Sequence, residues 1–514
     1  MSSKLRSDPE RVHVTRLPEL VRRAVSTLRG QFVAVNSQSE RTILLGTVLI
    51  ASAVSGATGF VLAQYYSVDV LSSIFYPPQD CWLGRPTNVG RHCFNDYTIL
   101  TGIGMRPDPW KPFPIMVFGH TALIRTSYTA AAMVPIMIFA FLGKWLDSAR
   151  LGLFGYLIVL TIAVVAPAIW ASRGARGLER IVVFLVCGTL AVPAWFAIDR
   201  GNSVGFVVPI ALAFLVALRR ERWGLVAITV VLAALVKPQF AVLGFALLAA
   251  RQWRLSSLAL LGGVVTNVGA YLLWPRNFPS TIVQNAHNNL DYSDPSEVLG
   301  LYNVSFGKAL LLIPDTIAAM SNGGKLPEDF LATPRSLIGF AILVLVVICT
   351  VVLGRRIPPV MVGIALLATA SLFPALSNPY YLVFALPIAA LVVRDPGGAP
   401  GTGLFDQFTT VGSRRRIVGV SVSLAAALSI AAPIAAPGGA ATSIAIGGEP
   451  GVIGLVDTTR VVPTSVILSP ILWLIACAAI IVSYARMPDS KDVPTASLSE
   501  NTAPATASPE GDGG

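Results

Sequence analysis

Charge is what this chain has least of. Asp, Glu, Lys and Arg make up only 13% of it, against about a quarter in soluble domains, which excludes an ordinary water-soluble globular protein. Histidine and cysteine are sparse as well. His13, His92, His120 and His287 are scattered, and neither they nor the five cysteines have metal-site spacing, so no resident metal or other cofactor is expected. No Asp-x-Asp, Walker or Rossmann pattern occurs, so nothing points to a bound nucleotide. Residues 1–41 lack the pattern of a cleaved signal peptide; the amino terminus is expected in the cytosol, with 43–63 as a retained helix. No internal repeat is visible.

Acidic residues are outnumbered, 27 against 38 basic ones, for a net charge of +11. A basic balance can signal nucleic acid, but here the cations form short clusters beside apolar runs, where positive-inside bias puts them. Topology accounts for the charge, and no nucleic-acid partner is expected.

What the chain has is hydrophobic length. Apolar residues make up 54% of it, and mean hydropathy is +0.68. Apolar runs at 43–63, 127–142, 151–170, 181–198, 203–218, 223–250, 256–274, 336–353, 359–375, 379–393, 416–436 and 464–484 predict an all-α polytopic membrane protein of roughly twelve passes. The expected organisation is a basic cytosolic arm over 1–41, a transmembrane domain over 42–485 and a disordered tail over 486–514. Segments 64–112 and 275–335 are long for helix connections and hold most of the acidic, aromatic and asparagine residues outside the helices. Residues 395–413 and 437–463 read as Gly-rich connections.

Arginine clusters at 173–180, 219–222, 251–254, 355–356 and 414–416 orient the bundle. All fall inside if 223–250 is a broken pair hinged at Lys237-Pro238 and 113–142 makes a re-entrant excursion. Arg200, Lys237, both long segments and the 377–379 turn then share the outer face. Cys187, Cys349 and Cys477 lie in apolar runs and read as packing residues. Cys81 and Cys93 lie in 64–112, where an oxidising exterior would permit a disulfide.

Three groups of residues carry candidate chemistry. Lys237 stands in an apolar run, where a lysine is costly unless it faces a cavity or an anion; with Arg200 it forms a candidate phosphate clamp, with Asn202 beside it. Among Asp69, Asp80, Asp96 and Asp108 of 64–112, Asp96 ranks first as a base for an acceptor hydroxyl, because Phe94 to Tyr97 runs into Gly102 and then Pro107 to Trp110, a stretch that reads as folding down onto the membrane. The third group is Asn285, His287, Asn288, Asn289, Asp291, Tyr292, Asp294 and Glu297, followed by Tyr302 to Ser305; its amides, acids and aromatics suit a polyol.

The ordered set Asp199-Arg200-Gly201-Asn202, Leu235-Val236-Lys237-Pro238, Arg251 to Arg254, Asn303-Val304-Ser305 and Ser377-Asn378-Pro379-Tyr380-Tyr381 resembles the GT-C glycosyltransferases of family 87, loosely over 90–390. The resemblance implies an inverting transfer of a mannosyl or arabinofuranosyl group from a polyprenyl-phosphate carrier to an envelope glycan or glycolipid. The reaction would lie on the extracytoplasmic face of a bacterial plasma membrane. It implies Asp96, with Asp69 in reserve, as the catalytic base, Arg200 and Lys237 on the donor phosphate, and Asn202, Asn303, Ser305, Tyr380 and Tyr381 on substrate. Mannosyl-transferring members often carry histidines where Tyr380 and Tyr381 stand, which keeps a pentosyl donor open. The rival readings are a transporter or flippase of a lipid-linked or anionic substrate, and a structural partner in an envelope-synthesis complex.

Overall fold

The computed structural model describes residues 38–66, 94–117, 120–290, 298–299, 302–322, 326–327, 330–408, 416–445 and 453–486. Asp69, Cys81 and Cys93 lie outside the described residues, as do 1–37 of the basic arm and 487–514 of the tail.

The chain is a helical membrane protein. Its helices are α1 (Glu40–Tyr66), α2 (Asn95–Gly104), α3 (Ala130–Trp145), α4 (Ala149–Ser172), α5 (Gly177–Phe184), α6 (Val192–Arg200), α7 (Val207–Arg219), α8 (Trp223–Val236), α9 (Phe245–Ala249) and α10 (Trp253–Ala270). Then come α11 (Ser280–Leu290), α12 (Phe306–Leu310), α13 (Leu312–Ser321), α14 (Ala332–Leu353), α15 (Pro359–Leu372), α16 (Ala385–Val393), α17 (Leu404–Gln407), α18 (Arg416–Ile430) and α19 (Ser465–Ala485).

The apolar runs read from the sequence all become helix, but not all become spans. Among the described residues, 5 helices are long and apolar enough to cross a membrane, or 6 if the bent pair Gly177–Thr189 and Val192–Arg200 counts as one. The remaining apolar helices, among them α3, α7, α8, α15 and α18, have 10–17 residues. Local chemistry explains the breaks. A π turn over Leu185–Thr189 and Pro193 at the start of α6 divide the 181–198 run, which bends by 44°. Pro238 divides 223–250 at the expected hinge: it lacks an N–H and pushes the preceding residue out of helical geometry. Lys237 is accordingly extended, at φ −147° and ψ 112°.

Two antiparallel hairpins depart from the sequence reading. β1 (Phe113–Val117) pairs with β2 (His120–Ile124) inside the expected re-entrant stretch, with Phe113 opposite Ile124. β3 (Ala435–Ala445) pairs with β4 (Ile453–Pro463) where a Gly-rich connection was expected, with Ala435 opposite Pro463. The Ile, Val and Thr residues of β4 favour an extended chain, a signal masked by the glycines around them.

α15 and α16 form the centre. Every residue from Val360 to Leu372 and from Ala385 to Val393 is buried, as expected of helices that are apolar on all sides. In contrast, α10 buries only Ala259 and faces outward with Leu260, Val264 and Val268.

Ion pairs tie helix ends together at one pole of this bundle. Arg41 pairs with Glu179 (2.6 Å), Arg416 with Glu40 (2.9 Å) and Arg219 with Asp395 (2.8 Å). The amide of Gly401 donates to the carbonyl of Gly174 (2.9 Å). The starts of α1, α5 and α18 therefore meet the ends of α4, α7 and α16. From this basic pole α8 climbs to Lys237, and α7 and α16 lead back to Asn202 and Tyr380. With 14 residues, α8 is about 21 Å long, well short of the ~30 Å hydrocarbon core of a bilayer.

Candidate functional site

The short helices end where the predicted residues gather. Asp96 lies in the first turn of α2, after Phe94 in a left-handed conformation (φ 43°), so the helix dipole favours its charge. Arg200 closes α6, and Gly201 reverses the chain at φ 63°, which orients Asn202 back toward α2. Lys237 arrives from the break between α8 and the turn at Pro238–Gly244.

These residues form one network. Arg200 Nη2 lies 3.2 Å from Asp96 Oδ1, and Asn202 Nδ2 donates to Asp96 Oδ2 at 2.6 Å. Asn202 Nδ2 also lies 3.3 Å from the hydroxyl of Tyr128, which accepts a hydrogen bond from Lys237 Nζ at 2.6 Å. The ammonium is 3.9 Å from the centroid of the Tyr128 ring and 5.8 Å from that of Tyr381. Tyr381 stacks on Tyr380 at 5.1 Å, and Tyr380 accepts from Asn378.

The charge arrangement is uneven. Side chains of Asp96 and Arg200 remain 17% and 18% exposed, so solvent reaches the pair. Lys237 is buried at 6% exposure, and no carboxylate among the described residues forms an ion pair with it. An ammonium has three donors; this one makes its hydrogen bond to a neutral hydroxyl. Among the described residues this buried cation touches a phenol and two aromatic faces, with the Asp96 charge acting on it from beyond ion-pair distance; such a charge is costly, and an incoming anion would relieve that cost.

Tyr128 joins Lys237 to Asn202, and the sequence reading missed it. It lies in the loop between β2 and α3 with no motif around it. Its main chain is clamped by residues that had been read as sugar-binding. Asn285 and the Trp110 indole donate to the Tyr128 carbonyl, at 3.1 and 2.9 Å. Asn288 donates to the carbonyls of Trp110 and Thr126, and Asn289 to that of Ser127. Trp110 is itself fully buried against Tyr271 and Trp274. The asparagines on α11 thus set the loop that carries Tyr128. The i, i+3, i+4 spacing of Asn285, Asn288 and Asn289, which puts amides on one face if the stretch is helical, was the available signal, but 275–335 was read as a connecting segment.

Asn303 and Ser305, expected to touch substrate, bond the backbone of the turn that leads into Tyr380 and Tyr381. Asn303 Nδ2 donates to the carbonyls of Val298 (2.8 Å) and Ala375 (2.7 Å), while its Oδ1 accepts from the amides of Ser305 and Ser377 (3.0 Å each). Ser305 donates to Ala375 and accepts from the amide of Lys308. All four hydrogen-bonding positions of the Asn303 amide are therefore filled by backbone, which corrects the expected substrate contact. Asn303→Ala is expected to lower stability by about 3–5 kcal/mol, because buried backbone groups lose partners. Thermal melting of the purified protein checks this; a normal melting temperature with a raised KM would instead restore Asn303 to the substrate.

Gly201 is the conformational pivot. Its left-handed φ disfavours a side chain, and an added Cβ would lie 2.9 Å from Cβ of Tyr97. The Gly201 carbonyl accepts from the hydroxyl of Tyr156 at 2.9 Å, fixing the turn from the other side. Gly201→Ala is expected to cost about 1–3 kcal/mol and to misplace Arg200 and Asn202, so activity falls more than stability. Parallel melting and turnover measurements separate the two effects.

Among the described residues no group of three His, Cys, Asp or Glu side chains is placed to hold a metal ion. No protein-family model matches the chain, and no curated protein does.

Proposed function

We propose that this protein is a membrane glycosyltransferase of the GT-C kind that takes a sugar from a polyprenyl-phosphate carrier. The observation that carries the reading is the pairing of Lys237, a buried cation in no ion pair among the described residues, with a solvent-reached carboxylate, Asp96, through Asn202 and Tyr128. Its natural ligand combines an anion, a hydroxyl-bearing group and a lipid tail. A lipid-linked sugar phosphate has all three.

In the proposed reaction Asp96 accepts the proton of the acceptor hydroxyl as that oxygen attacks the anomeric carbon. The bond from that carbon to the phosphate oxygen breaks, its electron pair leaves with the polyprenyl phosphate, and configuration inverts. Lys237 stabilises the charge that develops on the leaving phosphate. Arg200 holds the Asp96 carboxylate from one side and Asn202 from the other, while Tyr380 and Tyr381 offer aromatic faces to a sugar ring. The same reading counts the short helices as passes, giving roughly twelve, with the site on the extracytoplasmic face of a bacterial plasma membrane.

Purified protein incubated with a panel of synthetic polyprenyl-phosphate sugars and envelope glycan acceptors tests the reading. Inverted glycoside product supports it; failure with every such donor, alongside turnover of nucleotide sugars, overturns it. The helix broken at Lys237 also suits a transporter, in which discontinuous helices line a midplane site. Substrate uptake into proteoliposomes without product would favour that reading.

A further inference from the structure

We propose that Arg173, Arg220 and Arg394, at the basic pole, form a binding site for the phosphodiester headgroup of an anionic phospholipid. Three helix ends converge there: Arg173 follows α4, Arg220 follows α7 and Arg394 follows α16. The 394–396 strap runs between the other two corners. Arg220 Nη2 donates to the carbonyl of Pro396 at 2.7 Å, and Arg219 pairs with Asp395. Arg394 lies across Gly174, where an added Cβ would be 2.7 Å from its Cδ. Its guanidinium is 4.6 Å from the centroid of the Trp170 ring, and Nη1 donates to the Trp170 carbonyl.

Three nearby acids are already engaged, and Glu221, next to Arg220, is exposed and forms no ion pair among the described residues. Asp395 serves Arg219, Glu179 serves Arg41 and Glu40 serves Arg416. No carboxylate among the described residues pairs with Arg173, Arg220 or Arg394. Burial, and then the like charges of Arg173 and Arg220, hold the Arg394 guanidinium below its ordinary value. All three arginines stand at helix C-termini, where a cation is favoured, and Arg220 and Arg394 each donate to a backbone carbonyl; those carbonyls are neutral and leave the like charges without a counter-ion. An anion between them removes their repulsion, and arginine forks match phosphate oxygens.

The adjoining helix face favours a lipid over a free phosphate. Ile162 and Ile169 on α4 are exposed, at 61% and 39%, and their spacing places them in line with Arg173 on one helix face. A strip of exposed isoleucines ending in a cation matches an acyl chain ending in a phosphate. This site stands whatever the network at the opposite pole does.

Native mass spectrometry of the full-length protein, with phosphatidylglycerol or phosphatidylcholine added, tests it. Phosphatidylglycerol adducts are expected to predominate. Arg173→Gln with Arg220→Gln, both exposed positions, should lower adduct affinity by about fivefold per arginine, the factor for one basic residue at an anionic surface. Arg394→Gln should act in the same direction, but it also loses its seat on Trp170, so the exposed double variant decides. Equal adducts with the two lipids, or unchanged affinity in the folded double variant, overturn the proposal. So does full displacement by millimolar inorganic phosphate, which would make the ligand a free phosphate.

Discussion

Replacing Asp96 with asparagine is expected to lower turnover by about 10²–10⁴-fold, the range for a positioned general base, while leaving a folded protein. Asparagine keeps an oxygen that can accept from Asn202, so the 2.6 Å bond that orients the side chain survives. What disappears is the negative charge facing Arg200 and the ability to take a proton. The ion pair is partly exposed, so its loss costs about 1–3 kcal/mol of stability. Steady-state transfer assays with a polyprenyl-phosphate sugar, run beside thermal melting, give both numbers. Donor binding should be nearly unchanged, because the carboxylate serves the acceptor. Full activity in the Asp96→Asn variant would remove Asp96 from the chemistry and leave a binding or transport role.

Lys237→Met is expected to move activity and stability in opposite directions. Methionine has a similar length and none of the desolvation cost. Lys237 gives up one hydrogen bond to Tyr128 and its aromatic contacts, but a charge is no longer held in the apolar interior. A gain of about 1–3 kcal/mol in stability follows from the penalty for a lysine held at bilayer depth. Removing one partner of a buried charged contact costs about 2–5 kcal/mol in binding, so donor affinity should fall by roughly 30-fold to a few thousand-fold. Melting temperature and donor binding to the same preparation check the pair of effects. A destabilised variant with normal donor affinity would make Lys237 a structural residue.

Much of this site was legible because its residues break local rules. A lysine and a proline inside an apolar run, and an arginine, a glycine and an asparagine between two others, conflict with a simple span; such conflicts mark places where tertiary partners compensate. Asp96 was less distinct among its neighbours and stood out by its place before the Gly102 to Trp110 stretch. Tyr128 was not legible, because a tyrosine in an aromatic-rich segment carries no local conflict; only folding brings it between Lys237 and Asn202. The asparagines of α11 and Asn303 misled for a related reason. An amide that binds a sugar and an amide that holds a carbonyl look alike in sequence, and the partner decides. Hydropathy located the helices but not their lengths, since proline positions and π or 3₁₀ turns, not apolar content, set where each one stops.

Those stopping points have an electrical consequence. Leu212, Leu215, Ile364, Leu367, Leu386 and Ile388 fill the layer between Lys237 and the basic pole, and this oily partition is the insulator across which a membrane voltage falls. On the proposed orientation, an anion reaching Lys237 from outside enters part of that field and moves toward the negative interior. A full crossing opposes each elementary charge by about 2.3 kcal/mol per 100 mV, so a fraction of it acts on the bound carrier. Occupancy then rises as the membrane depolarises, and the protein's grip on its ligand varies with the energetic state of the cell.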